Sequence, residues 1–145
     1  MKYFIIAILI TFSLSVNAGP FTDKLSICLV KSTSKADKEL LIQWVFAAIS
    51  AHPNVSALSN ISVEKGDALN KSTANLFIKL LTVKCKTETE QALKYEGKST
   101  FQASFKVLGE VAMNGLMRRP NVGKYLSGLE KNMDSKALKK LVGKK

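Results

Sequence analysis

From residue 20 onward, apolar residues recur mostly at intervals of three and four, the spacing of one face of an α-helix. The spacing predicts a first short helix over 20–30, with Thr22 as its N-cap. A second helix follows, in which Ser34 and Asp37 are spaced as a capping box and Pro53 marks the end. Its apolar face is broad, so we expect it to organise the core; the face comprises Leu40, Leu41, Trp44, Val45, Ala48 and Ile49.

In the middle of the chain, the apolar spacing and the capping signals predict three further helices. Segment 54–64 has no sustained period, which indicates a loop holding a single turn at most, and a helix from Gly66 should run to Cys85. Segments 87–90 and 99–102 each have the spacing of a capping box. They predict a short helix that is closed by Gly97 and a long helix that ends before Pro120.

Two helices are predicted after Pro120. Asn121 should cap the first, and Asp134 the short last one. No segment alternates as a strand would. The sequence therefore predicts an all-α fold, a single irregular bundle of about six to seven helices over 19–145. In the first of these two helices we expect the inward-facing residues to be Val122, Tyr125, Leu126, Leu129 and Met133.

Residues 1–18 have the organisation of a secretory signal peptide. Lys2 supplies the positive start, an apolar stretch follows over 4–16, and Ala18 ends a tripeptide typical of a cleavage site. The stretch is shorter than the about 20 residues that a membrane-spanning helix needs. We therefore expect cleavage before Gly19 and export to the periplasm or the medium of a bacterium, with no spanning segment in the mature chain.

Cys28 and Cys85 are the only cysteines. An exported protein meets an oxidising compartment, where an even number of cysteines usually means disulfides. The sequence predicts a Cys28–Cys85 bridge that stabilises the fold by about 4 kcal/mol. Two free thiols or a redox pair are the alternatives, although a redox pair usually has the Cys-x-x-Cys spacing.

Most catalytic schemes lack the residues they need. His52 is the single histidine, and its predicted role is a helix C-terminal cap. A catalytic triad or a zinc site needs more His or Cys than the chain offers, and no glycine-rich phosphate loop occurs. We predict no catalytic residue, no metal and no cofactor. A pair of acids acting on a glycan remains an alternative, with the candidates Glu88, Glu90, Glu96 and Glu110.

The charge of the chain is strongly basic, with 22 Lys plus Arg against 11 Asp plus Glu. Loss of residues 1–18 removes Lys2 alone of these, and much of the remaining excess falls in 118–145. A surface with an excess of basic residues attracts anionic partners, although a requirement for solubility alone would also account for the excess. We predict a binding surface, called here the basic patch, that comprises Arg118, Arg119, Lys136, Lys139, Lys140, Lys144 and Lys145.

These observations together predict an exported, non-enzymatic binding protein that recognises an acidic protein or an anionic envelope polymer, as an inhibitor or immunity-type partner would. Nucleic acid is disfavoured because Tyr125 is the only aromatic residue after Phe105. The alternatives are an enzyme acting on envelope glycans and a structural or chaperone-like envelope component. The last of these would have an exposed apolar groove among its helices.

Overall fold

The computed structural model describes residues 19–134 together with residues 136 and 139. The predicted signal peptide and most of the predicted last helix lie outside these residues. The described part of the chain forms seven α-helices and one π-helical turn, and it contains no strand. The all-α prediction is therefore confirmed.

The α-helices are α1 Pro20–Ser32, α2 Lys35–Ser50, α3 Pro53–Ser56, α4 Val63–Lys79, α5 Lys86–Glu96, α6 Ser99–Met117 and α7 Pro120–Asn132. The π-helical turn, Leu80–Lys84, continues α4 without a break. The sequence pattern did not predict it, because a π-turn keeps nearly the same apolar spacing as the α-helix around it.

The centre of the bundle is α1, which packs against α5, α6 and the π-helical turn. Leu25 and Leu29 of α1 are completely buried. The expectation that the second helix organises the core is wrong, since Leu41 is the only apolar residue of α2 that is buried. Because burial of a leucine contributes about 1.5–3 kcal/mol, the two completely buried leucines of α1 contribute more to the core than the one buried leucine of α2. The rest of the broad apolar face of α2 is left partly open.

The predicted disulfide is confirmed. Cys28 of α1 and Cys85 are joined with an S–S distance of 2.04 Å and a Cα–Cα distance of 5.9 Å. Cys85 lies between the π-helical turn and α5 and is completely buried. The bridge therefore ties the central helix to the junction between two later ones.

One of the three predicted capping boxes is present. The Asp37 N–H donates to Ser34 Oγ at 3.1 Å, and the Ser34 N–H donates to Asp37 Oδ2 at 2.9 Å. The boxes predicted at 87–90 and 99–102 are absent, because α5 begins at Lys86 and α6 at Ser99. Thr87 and Ser99 therefore lie inside their helices and cannot cap them.

The amino end of α1 is capped from α5. The helix begins at Pro20, so the prediction of Thr22 as N-cap is wrong. The Glu96 carboxylate accepts the N–H groups of Phe21 and Thr22 at 2.9 and 2.7 Å, together with the Thr22 hydroxyl. Burial raises the pKa of Glu96, but these hydrogen bonds outweigh it and hold the pKa below its usual value. Gly97 then ends α5 as predicted, with a φ of 77°.

Helix α7 is peripheral. Among the described helices it contacts only α6. The prediction that its apolar residues face inward is wrong, since Tyr125 is 84% and Leu129 is 69% exposed. Beyond α7, Asp134 accepts the N–H of Lys136 at 2.8 Å, as a cap of the following turn would.

None of the helices in the described ranges combines the length and the hydropathy needed to cross a membrane.

Candidate functional site

An open apolar cleft of about 410 Å³ lies between α2 and α6, with Phe77 of α4 in its lining. Its other lining residues come from the two flanking helices. From α2 they are Leu41, Ile42, Trp44, Val45, Phe46 and Ile49. From α6 they are Phe105, Leu108, Gly109, Ala112, Met113 and Leu116.

The residue spacing on the two helices explains why the cleft forms. On α6 the lining residues follow one another at steps of three and one and share one face, whereas on α2 they cover a broader arc of the helix. The apolar face of α2 is too broad to be covered by its contacts with α4 and α6. On α6, Gly109 and Ala112 leave space, and a Cβ at Gly109 would meet no atom within 4 Å. The cleft therefore results from small residues opposite a broad apolar face.

Three aromatic rings of the lining hold one another in place. The Trp44 Nε1–H donates to Asn70 Oδ1 at 2.8 Å, which fixes the indole. Phe77 meets Trp44 edge-on with ring centroids 6.1 Å apart, and it packs against Phe105 at 4.4 Å. Since Asn70 is not a lining residue, the indole N–H is satisfied away from the cleft. The lining side chains therefore present apolar surface to a ligand.

Charged residues lie at one end of the cleft. Arg119 Nη2 is 2.6 Å from Glu39 Oε1, and both side chains are about half exposed. Glu39 precedes Ile42 by three residues on α2, and Arg119 lies in the turn directly after α6, so the pair lies where the two helices that flank the cleft meet. At the other end, His52 lines an adjoining depression that shares Trp44, Val45 and Ile49 with the cleft.

The basic patch is described only in part. Arg118, Lys136 and Lys139 are exposed, and Arg119 is paired with Glu39 at the end of the cleft. Lys140, Lys144 and Lys145 lie outside the described residues. The patch as one continuous surface therefore stays a prediction.

His52 begins a helix, so its predicted role as a C-terminal cap is wrong. It is the N-cap of α3, and its Nδ1 accepts the N–H of Asn54 at 3.2 Å. The short helix α3 begins at Pro53, so His52 lies between the end of α2 and the start of a new helix. This hydrogen bond uses the lone pair of an imidazole nitrogen.

Three of the candidate acids have structural partners. Glu96 caps α1, Glu90 is 3.8 Å from Lys86, and Glu110 is 4.0 Å from Lys106. The side chain of Glu110 is 61% exposed, so it lies on a solvated helix face. Within the described ranges, no three His, Cys, Asp or Glu residues cluster in a way that could hold a metal ion.

A polar depression on another part of the surface is explained by helix capping. Ser34, Asp37 and Lys79 are among the residues that line it. Hydrogen bonding from the Ser34 side chain lowers the pKa of Asp37, and burial opposes this effect in part. The positive charge of Lys79 also lowers the pKa of Asp37. Ser34 and Asp37 are both used in starting α2, so this depression offers little free hydrogen-bonding capacity.

The apolar cleft is the functional candidate that the sequence did not identify. Its sequence signal is the breadth of the apolar face of α2, which exceeds what one helix contact covers. Comparison of the chain with models of protein families, with curated proteins and with solved structures found no match. The function is therefore argued from the geometry and chemistry of the cleft.

Proposed function

We propose that this chain is an exported, non-enzymatic binding protein whose ligand is a hydrocarbon chain held in the cleft between α2 and α6. One observation carries the proposal, namely an open cleft of about 410 Å³ with an apolar lining. Small-molecule sites typically have volumes of about 300–1,000 Å³ and mostly apolar walls. The disulfide is compatible with the oxidising compartment that export implies.

The apolar lining of the cleft favours a hydrocarbon ligand over a polar one. A polar group placed against it would lose hydration without gaining a hydrogen bond, which is unfavourable. A hydrocarbon chain gains about 0.8 kcal/mol for each CH₂ group removed from water. From Phe105 to Leu116, α6 advances about 16 Å at the helical rise of about 1.5 Å per residue. This length favours an elongated ligand over a compact one.

Within the described part of the chain, the lining of the cleft is partly exposed to solvent. Phe46 and Ile49 are each 51% exposed, and Met113 is 41% exposed. A contiguous apolar surface of this kind on a soluble helical bundle marks an interaction site. The amphipathic helix of the chain itself, α7, contacts α6 and no other described helix, so it leaves the cleft open.

The anionic partner predicted from the charge of the chain supports a second proposal. The exposure of Arg118, Lys136 and Lys139 favours contact with an acidic protein or an anionic polymer. We expect salt-sensitive retention on immobilised polyglutamate, an anionic polymer, weakened when Lys136 and Lys139 are replaced by Glu. Unchanged retention of that variant would exclude this role. The glycan-acting alternative has less support, since Glu96 and Glu110 have structural partners.

Trp44 provides a direct test of the cleft. It is the only tryptophan in the chain, so a change in its fluorescence reports on the cleft and on the depression that adjoins it. We expect a homologous series of monoacylglycerols to change this fluorescence. The affinity should rise about fourfold for each added CH₂ group, the factor that corresponds to about 0.8 kcal/mol, until the cleft is filled.

A pair of glycine variants separates the cleft from the rest of the surface. Gly109→Leu places a side chain in open space within the cleft and should abolish the fluorescence response. Gly115→Leu changes the same helix, also into open space, at a position outside the cleft lining. It should bind as the parent chain does. Equal binding by both variants, or no binding by the parent, would contradict the proposal.

A further inference from the structure

We infer that the hydrocarbon chain bound in the cleft carries a carboxylate, as a fatty acid does, and that this head group lies against Lys38 and Arg119. The inference rests on the proposed function and specifies its ligand. It follows from the different character of the two ends of the cleft.

The cationic end is defined by one ion pair and by helical spacing on α2. Arg119 lies in the turn directly after α6, and its guanidinium reaches Glu39 at the start of α2. Lys38 precedes Leu41 by three residues and Ile42 by four, which places it on the cleft-lining face of α2. The two cations therefore lie at the same end of the cleft.

These cations retain capacity for an anion. A guanidinium has five N–H donors, and Glu39 Oε1 engages Nη2 of Arg119. Lys38 forms no ion pair with any residue in the described ranges. Glu39 offsets one of the two positive charges, so this end of the cleft stays net positive. Because Arg119 is about half exposed, a head group bound there also stays partly hydrated, and burial costs little.

At the opposite end the cation is Lys106, whose charge is offset by Glu110 at 4.0 Å, so this end carries no net positive charge from the pair. Ile49 and Phe105 line the cleft there, and His52 lies in the adjoining depression. The Nδ1 of His52 already accepts the N–H of Asn54. A carboxylate is therefore favoured at the Arg119 end, with the hydrocarbon chain running along α6 toward Phe105.

Three amphiphiles of equal chain length test the head group, each followed by Trp44 fluorescence. They are laurate, the neutral monolauroylglycerol and the cationic dodecyltrimethylammonium. We expect laurate to bind about two- to fivefold more tightly than monolauroylglycerol, as for partly exposed ion pairs. The difference should shrink at high salt, and the cationic amphiphile should bind most weakly.

Four charge variants locate the head group. Lys38→Gln and Arg119→Gln should weaken laurate binding and leave monolauroylglycerol binding unchanged, which also shows that the variants fold. Glu39→Gln removes the competing carboxylate, so it should tighten laurate binding. Lys106→Gln is the matched control, because Lys106 is an ion-paired cation near the other end of α6. It should bind all three amphiphiles as the parent chain does.

The outcomes distinguish the inference from the proposed function. If laurate and monolauroylglycerol bind equally, the head-group inference is overturned and the hydrocarbon site remains. A loss in Lys106→Gln equal to that in Arg119→Gln would also overturn it, since general attraction would then explain the preference. Binding by none of the three amphiphiles would overturn both, and so would binding that appears only after α7 is deleted.

Discussion

Glu96, the last residue of α5, binds the first turn of α1 by accepting the backbone N–H of Thr22, 74 residues earlier in the chain, at 2.7 Å. The Thr22 and Thr100 hydroxyls lie 2.7 Å apart, and the Ser104 hydroxyl donates to the Thr22 carbonyl. The start of the central helix is therefore held by a buried polar network that reaches α5 and α6. Capping by a carboxylate also suits the positive end of the helix dipole.

The first prediction concerns the charge of Glu96. Because hydrogen bonding lowers its pKa in the folded state, its stabilising effect is complete above the usual carboxyl pKa of about 4.3 and is lost as the pH falls through the lower folded-state pKa. We expect Glu96→Gln to lower the Tm by several degrees at neutral pH. The gap to the parent chain should narrow as the pH falls below the usual carboxyl pKa and through the lower folded-state pKa of Glu96.

Thermal unfolding followed by circular dichroism measures this effect. Glu90→Gln, on the same helix, is the control, since Glu90 forms an exposed ion pair with Lys86. An exposed pair contributes at most about 1 kcal/mol, so its Tm should change little at any pH. A Tm gap for Glu96→Gln that does not vary with pH would contradict the role given to the charge.

The second prediction concerns Gly19. A Cβ at this position would lie 2.2 to 2.9 Å from three atoms of the Glu96 carboxyl group, closer than atoms can approach. We expect Gly19→Ala to displace Glu96 and to lower the Tm, and to have a much smaller effect when Glu96 is already Ala. Gly115→Ala, where a Cβ meets open space, should instead stabilise the chain by up to about 1 kcal/mol. Additive effects of the Gly19 and Glu96 substitutions would show that the two positions are not coupled.

The third prediction concerns the disulfide. Replacing both Cys28 and Cys85 by Ser should lower the free energy of unfolding by about 4 kcal/mol, because the bridge restricts the unfolded chain. Urea denaturation of the parent chain and the variant measures the difference. Adding a reductant should destabilise the parent to the same extent and leave the variant unaffected. A variant as stable as the parent would rule out a stabilising role for the bridge.

The fourth prediction concerns α7. In the described part of this helix no side chain is buried, and its contacts are limited to α6. Truncation after Arg119 should therefore leave the helical bundle folded, with a cooperative transition and a Tm within a few degrees of the parent. By contrast, Leu25→Ala in the centre of the core should cost about 2–5 kcal/mol. A truncated chain that binds hydrophobic dye and lacks a cooperative transition would show that α7 is part of the core.

The predictions from sequence succeeded where the interaction joins neighbouring residues or where only one pairing is possible. The helical spacing identified the all-α fold, and the capping box at Ser34 and Asp37 depends on two residues three positions apart. The disulfide followed because only Cys28 and Cys85 are available. The helices and the capping box depend on neighbouring residues, and the disulfide depends on a single pair of cysteines.

The errors share a different cause. Apolar spacing shows which face of a helix avoids water, and it does not show how much of that face another helix covers. For this reason α2 was expected at the centre of the core, although Phe46 and Ile49 lie at an open cleft. The same limit applies to Leu129 of α7, which is exposed despite its place on an apolar face.

The sequence by itself determined most of the secondary structure, because helix formation and capping depend on neighbours within one or two turns. The packing of the helices decided the rest. It brought Glu96 to the start of α1, joined Arg119 to Glu39, and left the cleft between α2 and α6 open. These relationships connect residues about 75 to 80 positions apart, and their geometry depends on how whole helices fit together.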